Sequence, residues 1–246
     1  ENLFELRQRK GLTRDEAREL LTHRHYLGPM MVRMGDADGL IGGLIHKYSD
    51  TVRPALQTIG LDARARLAAG MYMMVFKSEL MFFADPVINI EPSAEDLAEI
   101  ALCTAETARS FDVEPRVAML SFSNFGSSRH PQADKVRRAT QIIRQRAPDL
   151  EVEGEMQADL ALTPAMLEEA YPFADLSGRA NVLIFPDLSS ANVAYKLTQC
   201  LAGAEAVGPI LMGFDRPVHL MPSNSTVEQI VQLTAVAVVD AQQGAA

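Results

Sequence analysis

The sequence predicts an α/β fold, and three observations carry that prediction. Short apolar runs at Met71–Phe76, Val117–Ser121, Asn181–Phe185 and Gly208–Met212 have the length of strands. Helical patterns stand between them, at Ser93–Ser110, Gln132–Arg146, Pro164–Tyr171 and Ser190–Leu201. Strands separated by segments of about ten or more residues are joined by crossovers rather than hairpins, so mostly parallel pairing is expected. The third observation is bulk composition: 246 residues, 48% hydrophobic and 22% charged, describe a core-forming chain long enough for two modest domains.

Taken in order, Glu1–Gln8 reads as helix interior from its first residue, which leads us to expect a piece of a longer polypeptide. After the Lys10-Gly11 break, Thr13 with Asp15 and Glu16 forms an N-cap and first turn for a helix through Leu21, supported by apolar Leu12, Ala17, Leu20 and Leu21. Met30–Met34 is predicted as a strand, Gly35–Asp38 as a turn and Gly39–Leu44 as a second apolar segment. Gly39, Gly42 and Gly43 there permit close backbone approach near a cleft. Thr51–Ile59 is predicted as a helix with Pro54 in its first turn, where a missing amide hydrogen is tolerated.

Asp85–Glu91 is expected to be a connection and Glu151–Gln157 a polar link. Ser225 with Glu228 makes a capping box for a last helix, whose Val227, Ile230, Val231, Ala235 and Val238 form the predicted buried stripe. Gln242–Ala246 is expected to fray, and no internal repeat is visible.

Charge and cysteine usage exclude several classes. With 23 basic against 32 acidic residues the formal net charge is −9, which argues against non-specific nucleic-acid binding while leaving room for a local basic cleft that takes a phosphorylated ligand. Cys103 and Cys200 are far apart and lie in apolar helical patterns, so buried reduced thiols and a cytoplasmic location are expected. No apolar run reaches the ~18 residues of a membrane span, and no secretory signal is present. His23, His25, His46, His130 and His219 have no metal-ligand spacing, so each is expected to be structural or exposed. Neither a dinucleotide fingerprint nor a P-loop occurs.

Three groups of residues are candidates for ligand contact, each with a structural alternative. Ser121-Phe-Ser-Asn-Phe-Gly-Ser-Ser128 lies between a strand and a helix, where backbone amides and the hydroxyls of Ser121 and Ser123 are able to receive an anion; the alternative is a helix cap with a tight turn at Gly126. Asn192, Tyr195 and Lys196 sit in the first turns of a helix that follows an apolar strand; Tyr195 offers a face for a nucleotide, or else it is core and Lys196 is a solvated face. Arg7 and Arg53 are candidates to pair with ligand phosphates, against the ordinary role of surface salt bridges.

The segments Arg9-Lys-Gly-Leu-Thr13, Asp50-Thr-Val-Arg-Pro-Ala-Leu-Gln57, Ile184-Phe-Pro-Asp-Leu188 and Ala202-Gly-Ala-Glu-Ala-Val-Gly-Pro-Ile-Leu211 together resemble the phosphate acetyl/butyryltransferase family over nearly the whole chain. The resemblance implies a three-layer αβα fold, similar to isocitrate and isopropylmalate dehydrogenases, in two lobes with an interdomain cleft. Residues 1–64 with 209–246 would form the first lobe, its N-terminal part missing, and 65–208 an inserted second lobe. It also implies that Arg7 and Arg53 serve coenzyme A binding and that Tyr195 lies in the element lining the same site.

One strip departs from the family. Pro217-Val-His-Leu-Met-Pro-Ser-Asn-Ser-Thr-Val-Glu-Gln-Ile-Val231 aligns with a family pattern Pro-Val-Asn-Asp-Leu-Ser-Arg-Gly-x-x-Val-Glu-Asp-Ile-Val, whose Ser, Arg and last Asp form the reaction centre. Pro222, Ser223 and Gln229 occupy those positions, so the strip lacks the hydroxyl, the cation and the base that acetyl transfer requires.

Met30-Met-Val-Arg-Met-Gly-Asp-Ala-Asp-Gly39, Ser123–Ser128, Glu153-Gly-Glu-Met156 and Thr234-Ala-Val-Ala-Val-Val-Asp240 are most similar to the C-terminal domain of bacterial hybrid NADP-dependent malic enzymes. The function this implies is a non-catalytic domain that binds acetyl-coenzyme A as an effector and assembles dimers into larger homo-oligomers. NADP and a divalent metal would then belong only to an N-terminal malic-enzyme domain. The alternative is an active phosphate acetyltransferase, moving acetyl between acetyl phosphate and coenzyme A with relocated catalytic groups.

Overall fold

The computed structural model describes residues 1–77 and 79–243, in two compact units. The first comprises Glu1–Ala68 with Gly208–Ala246, the second Ala69–Val207. The first unit begins with helix α1 (Asn2–Arg7), a single 3-10 turn at Gln8–Lys10, α2 (Arg14–Leu20) and α3 (Arg24–Met34). Strand β1 (Leu40–Gly43) and α4 (Tyr48–Thr58) follow. Thr13 and Glu16 close a reciprocal capping box on α2, the cap expected from the sequence.

The second unit runs β2 (Ala69–Val75), β3 (Leu80–Ala84), α5 (Ala94–Ser110), β4 (Arg116–Leu120), α6 (Pro131–Arg146) and β5 (Glu151–Met156). It continues with α7 (Ala158–Leu162), α8 (Pro164–Ala170), β6 (Val182–Ile184) and α9 (Leu188–Ala202). Strand β7 (Glu205–Met212) leads back to the first unit, where β8 (Val218–Met221) and α10 (Val227–Gln243) complete the chain.

The main sheet has the order β5-β4-β6-β3-β2-β7. Strands β5, β4, β6 and β3 are parallel, and β2 joins β3 as an antiparallel hairpin with Met73 opposite Phe82. Strands β2, β3, β4 and β6 bury nearly continuous apolar runs, as two covered faces require, whereas β5 carries Glu153 and Glu155. Met74, Met81, Phe83, Ala118 and Leu183 share one core cluster with Tyr72 and Tyr195. Helix α5 buries Leu97, Ala98, Ala101, Thr104, Ala105 and Ala108, the spacing of one helical face, and its mostly small side chains permit close approach.

In the first unit β1 pairs in parallel with β8, Leu40 opposite Val218. Gly43 ends β1 at φ +115°, and a Cβ there would lie 2.2 Å from the Met221 carbonyl oxygen, so only glycine fits.

Several expectations are corrected. Met30–Met34 is the last part of helix α3, not a strand, and Gly35 closes that helix in the left-handed region at φ 80°. Five apolar residues are too few to separate the two periods, and methionine favours helix. Glu151–Gln157 is mostly strand β5 rather than a polar link, because buried Glu153 and Glu155 find arginine partners on α6. Strands β3 and β8 and helix α7 had no counterpart in the expected order. Pro54 lies in the second turn of α4, not the first.

The cap of α10 is also displaced by one residue. Thr226 N–H donates to Gln229 Oε1 at 3.0 Å and Gln229 N–H to Thr226 Oγ1 at 3.3 Å, so the box is Thr226–Gln229 rather than Ser225–Glu228. The predicted stripe is reversed: Val227, Val231 and Val238 are exposed, whereas Leu233, Val236 and Ala237 are buried. A helix apolar on several sides gives no unique inward face from periodicity alone. Cys200 is exposed, not buried, and neither cysteine forms a disulfide among the described residues. Of the expected frayed tail, Gln242 and Gln243 belong to α10, while 244–246 lie outside the described residues.

Candidate functional site

Residues of α1, α2, α3 and α4 line two open cavities in the first unit, and Tyr26 borders both. One, of 270 Å³, is lined by Arg7, Lys10, Gly11, Glu16, Tyr26 and Gln57 among others. The other, also 270 Å³, is lined by His23, His25, Tyr26, Ser49, Asp50, Arg53 and Pro54. The Tyr26 hydroxyl donates to Gln57 Oε1 at 2.6 Å, tying α3 to α4 between the cavities. One helical turn of α4 brings Asp50 and Arg53 to the same face, and the following turn adds Gln57.

Neither Arg7 nor Arg53 forms a guanidinium hydrogen bond or ion pair among the described residues. The surface salt-bridge alternative is therefore not what the structure shows for either residue. Two uncommitted guanidiniums bordering cavities, with Lys10 beside one of them, are able to donate hydrogen bonds to phosphate oxygens. Asp50 lies in the first turn of α4, and the positive end of that helix adds to the field for an anion.

His25 lines the second of these cavities. Its ring meets that of His46 edge to face, with centroids 4.1 Å apart. Burial, followed by the nearby charge of His46, holds its pKa below the ordinary histidine value, and Asp50 opposes that shift. The neutral imidazole that results at physiological pH has a free lone pair for a proton. The sequence reading singled out neither Tyr26 nor Asp50 and expected His25 to be structural or exposed; the register of α3 and α4 brings all three to one cavity.

The strip expected to be degenerate is a loop and a helix cap. The Pro222 carbonyl accepts the amide of Ser225 at 3.1 Å and its hydroxyl at 2.9 Å. Ser223 is exposed, and the carbonyl of the Gln229 side chain caps α10. No charged or titratable side chain stands at Pro222, Ser223 or Gln229.

In the second unit the serine loop is filled from within. Glu155 has no exposed surface and accepts hydrogen bonds from Ser123 Oγ at 3.0 Å, Gly126 N–H at 2.8 Å and two Arg137 nitrogens. Ser123 is itself fully buried, so a carboxylate of the chain takes the place that an external anion would need. The phosphate-binding role expected for Ser123 is corrected accordingly. Burial alone would raise the Glu155 pKa, but the donors of Arg137, Gly126 and Ser123 outweigh it and hold the carboxyl below the usual range. The Ser121 hydroxyl accepts the Ser123 amide at 3.3 Å.

Tyr195 is core: it is 9% exposed and stacks on Tyr72 with centroids 4.2 Å apart. That removes it as a stacking surface for a nucleotide. Lys196 is exposed with its ammonium 5.8 Å from the Tyr195 ring centroid, and the Asn192 amide donates to the Pro86 carbonyl at 3.2 Å. Lys135, which the sequence did not single out, donates to the Pro186 carbonyl at 2.8 Å, and burial lowers its pKa against the opposing charges of Asp187 and Glu91. Among the described residues no group of three or more His, Cys, Asp or Glu is able to hold a metal ion. No helix among them is long and apolar enough to cross a membrane.

Comparison with known proteins places this architecture. The sequence pattern described as phosphate acetyl/butaryl transferase matches residues 1–238. The chain is 43% identical over 230 residues to the phosphate acetyltransferase of Bacillus subtilis (strain 168), covering 93% of this chain and 71% of that protein. The crystal structure of a phosphotransacetylase from Streptococcus pyogenes superposes with a TM-score of 0.94 at 43% identity, covering 98% of this chain and 74% of that one. An NADP-dependent malic enzyme of Escherichia coli (strain K12) is 39% identical over 97% of this chain, but only 32% of that enzyme is covered.

These findings overturn the functional assignment drawn from sequence. Further phosphate acetyltransferases are 42% and 38% identical over 98% and 99% of the chain, so the regulatory domain of a malic enzyme, and an oxidoreductase with it, is not the reading they favour. The mixed α/β fold with its largely parallel sheet is that of the solved phosphotransacetylases. This chain belongs to the phosphate acetyl/butaryl transferase family.

Proposed function

We propose that the chain transfers an acetyl group between acetyl phosphate and coenzyme A. The observation that carries this reading is the 43% identity to a phosphate acetyltransferase across 93% of the chain. Because Pro222, Ser223 and Gln229 supply no cation or base, the chemistry draws on the cavities bordered by Arg7, His25, Asp50 and Arg53.

In this scheme Arg53 and the α4 N-terminus hold the acyl phosphate, and Arg7 with Lys10 holds phosphate groups of the coenzyme. A thiol has a pKa of about 8.5, so neutral His25 takes its proton as sulfur attacks the acetyl carbonyl carbon. The carbon–sulfur bond forms, the bond from that carbon to the phosphate oxygen breaks, and inorganic phosphate leaves. Cysteines without a disulfide among the described residues and a coenzyme A substrate fit a cytoplasmic site of action.

We also infer self-association. Val193, Leu197 and Leu201 recur at four-residue intervals along α9 and are 56%, 52% and 82% exposed, an apolar stripe suited to a second copy of the chain.

The test of function is thioester formation from acetyl phosphate and coenzyme A, followed by absorbance with purified protein. Turnover abolished in a His25→Ala, Arg53→Ala double variant is the expected result. A rate no higher than the protein-free control, in a preparation shown to be folded, would refute the proposal.

A further inference from the structure

A cavity of 420 Å³ in the second unit lies where strands start rather than where they finish. Leu80 opens β3, Arg116 opens β4, and Asn181 immediately precedes β6; all three line it, together with Phe76 from the β2–β3 turn and Val113 from the loop after α5. In open α/β sheets the usual ligand site is at the carboxyl ends of the strands. This cavity is at the other edge, and no residue of the acetyl-transfer scheme contributes to it.

Arg116 is held there in a fixed orientation. Its Nε donates to the Arg179 carbonyl at 2.7 Å, and its backbone amide donates to Asn181 Oδ1 at 2.7 Å. Asn181 is fixed in turn by the bond from its Nδ2 to the Glu114 carbonyl at 2.8 Å. The two terminal nitrogens of Arg116 have no partner among the described residues, whereas Arg179 is neutralised by an ion pair with Glu79 at 2.5 Å. Glu114 pairs with Arg109 at 3.4 Å, and Glu151, opposite Arg116 on β5, accepts hydrogen bonds from the Ser177 amide and hydroxyl. Among the charged side chains that line the cavity, Arg179 and Glu79 pair with each other and the Arg116 guanidinium is left with a positive charge.

The C-terminal end of α5 points its negative pole toward this edge, but that pole is equivalent to about half a charge against the full charge of the guanidinium. Phe76, Leu80 and Val113 supply an apolar wall beside it. A planar, singly charged group with an apolar body satisfies both halves of the lining, since a carboxylate accepts two parallel N–H bonds from an arginine end.

We propose that this cavity binds a small monocarboxylate carrying an apolar group of about the size of a phenyl ring, independently of the acetyl-transfer site. The volume falls within the roughly 300–1,000 Å³ range of small-molecule sites.

The experiment is calorimetric titration of the full chain with phenylacetate, with its neutral amide phenylacetamide and with inorganic phosphate. Saturable one-to-one binding of phenylacetate at about 1 mM or tighter is expected, with at least tenfold weaker binding of the amide and of phosphate at this cavity. Two variants locate the site: Arg116→Gln removes the charge, and Val113→Phe fills the cavity while leaving the arginine in place. Each should weaken phenylacetate binding at least tenfold while binding of coenzyme A is unchanged, with folding checked by circular dichroism and thermal melting. Undetectable phenylacetate binding to the unaltered chain, equal binding of the amide, or unchanged affinity in a folded Val113→Phe variant would each overturn the proposal. Phosphate binding that is lost in both variants would overturn the assignment of ligand class. Because coenzyme A binding is measured separately, failure here is distinguishable from failure of the acetyl-transfer scheme.

Discussion

Glu155 and Arg137 form the principal ion pair of the serine loop: Arg137 Nε donates to Oε2 at 3.0 Å and its Nη2 to Oε1 at 2.8 Å. The carboxylate is fully buried, whereas the arginine side chain is 36% exposed. Its Oε1 also takes the Ser123 hydroxyl and the Gly126 amide, so one side chain of β5 organises the loop between β4 and α6. Removing the arginine leaves a buried charge with only neutral donors. Arg137→Ala should destabilise the fold by about 3 kcal/mol, at the low end for a broken buried pair because the arginine is partly hydrated. Urea unfolding with an unchanged m-value measures this, and a loss under about 0.5 kcal/mol would mean that water replaces the guanidinium.

The same pair makes stability depend on pH. The Glu155 pKa is depressed in the folded chain, so its contribution is fully present above the unfolded carboxyl pKa of about 4.3 and is lost as pH falls through the lower folded value. Glu155→Gln should therefore cost stability at pH 7 yet flatten the acid limb of the stability curve. Parallel acid limbs in variant and unaltered protein would show that Glu155 does not carry this dependence.

At the first-unit cavities, Arg53→Ala should weaken acetyl-coenzyme A or acetyl phosphate binding by about ten- to a hundredfold, since a charge-assisted hydrogen bond contributes about 1.5–3 kcal/mol. Arg7→Ala should act mainly on the coenzyme. Calorimetry separates the two, and an unchanged dissociation constant for both ligands in either variant would exclude that arginine.

His25→Gln should lower kcat by about 10²–10⁴ with little change in KM, as expected for loss of a general base. Because the His25 pKa is lowered, activity should hold below the ordinary histidine range before protonation removes the base, and the variant should lose that acid limb. A variant retaining full kcat would transfer the base role to another group.

For self-association, Leu197→Glu places a charge in the middle of the exposed α9 stripe. Sedimentation should show a dimer for the unaltered chain and a monomer for the variant at the same concentration. A monomer in both would remove the stripe as an interface.

What the sequence determined by itself was whatever depends on local chemistry. The Thr13 cap, strands β2, β4, β6 and β7, helices α5, α6, α8 and α9 and the family itself follow from short-range pattern and motif. The uncommitted state of Arg7 and Arg53 was not local, because an arginine in sequence does not reveal whether an acid waits nearby. Tertiary structure alone decided that Glu153 and Glu155 lie inside a strand, since a buried carboxylate is stable there only when arginines of α6 reach it. It also decided that Ser123 is sealed by Glu155, that Tyr195 stacks on Tyr72, and that α10 turns Leu233 rather than Val231 inward. Each of these depends on which distant group arrives first at a polar atom or an apolar face, and periodicity within one segment carries no information about that partner.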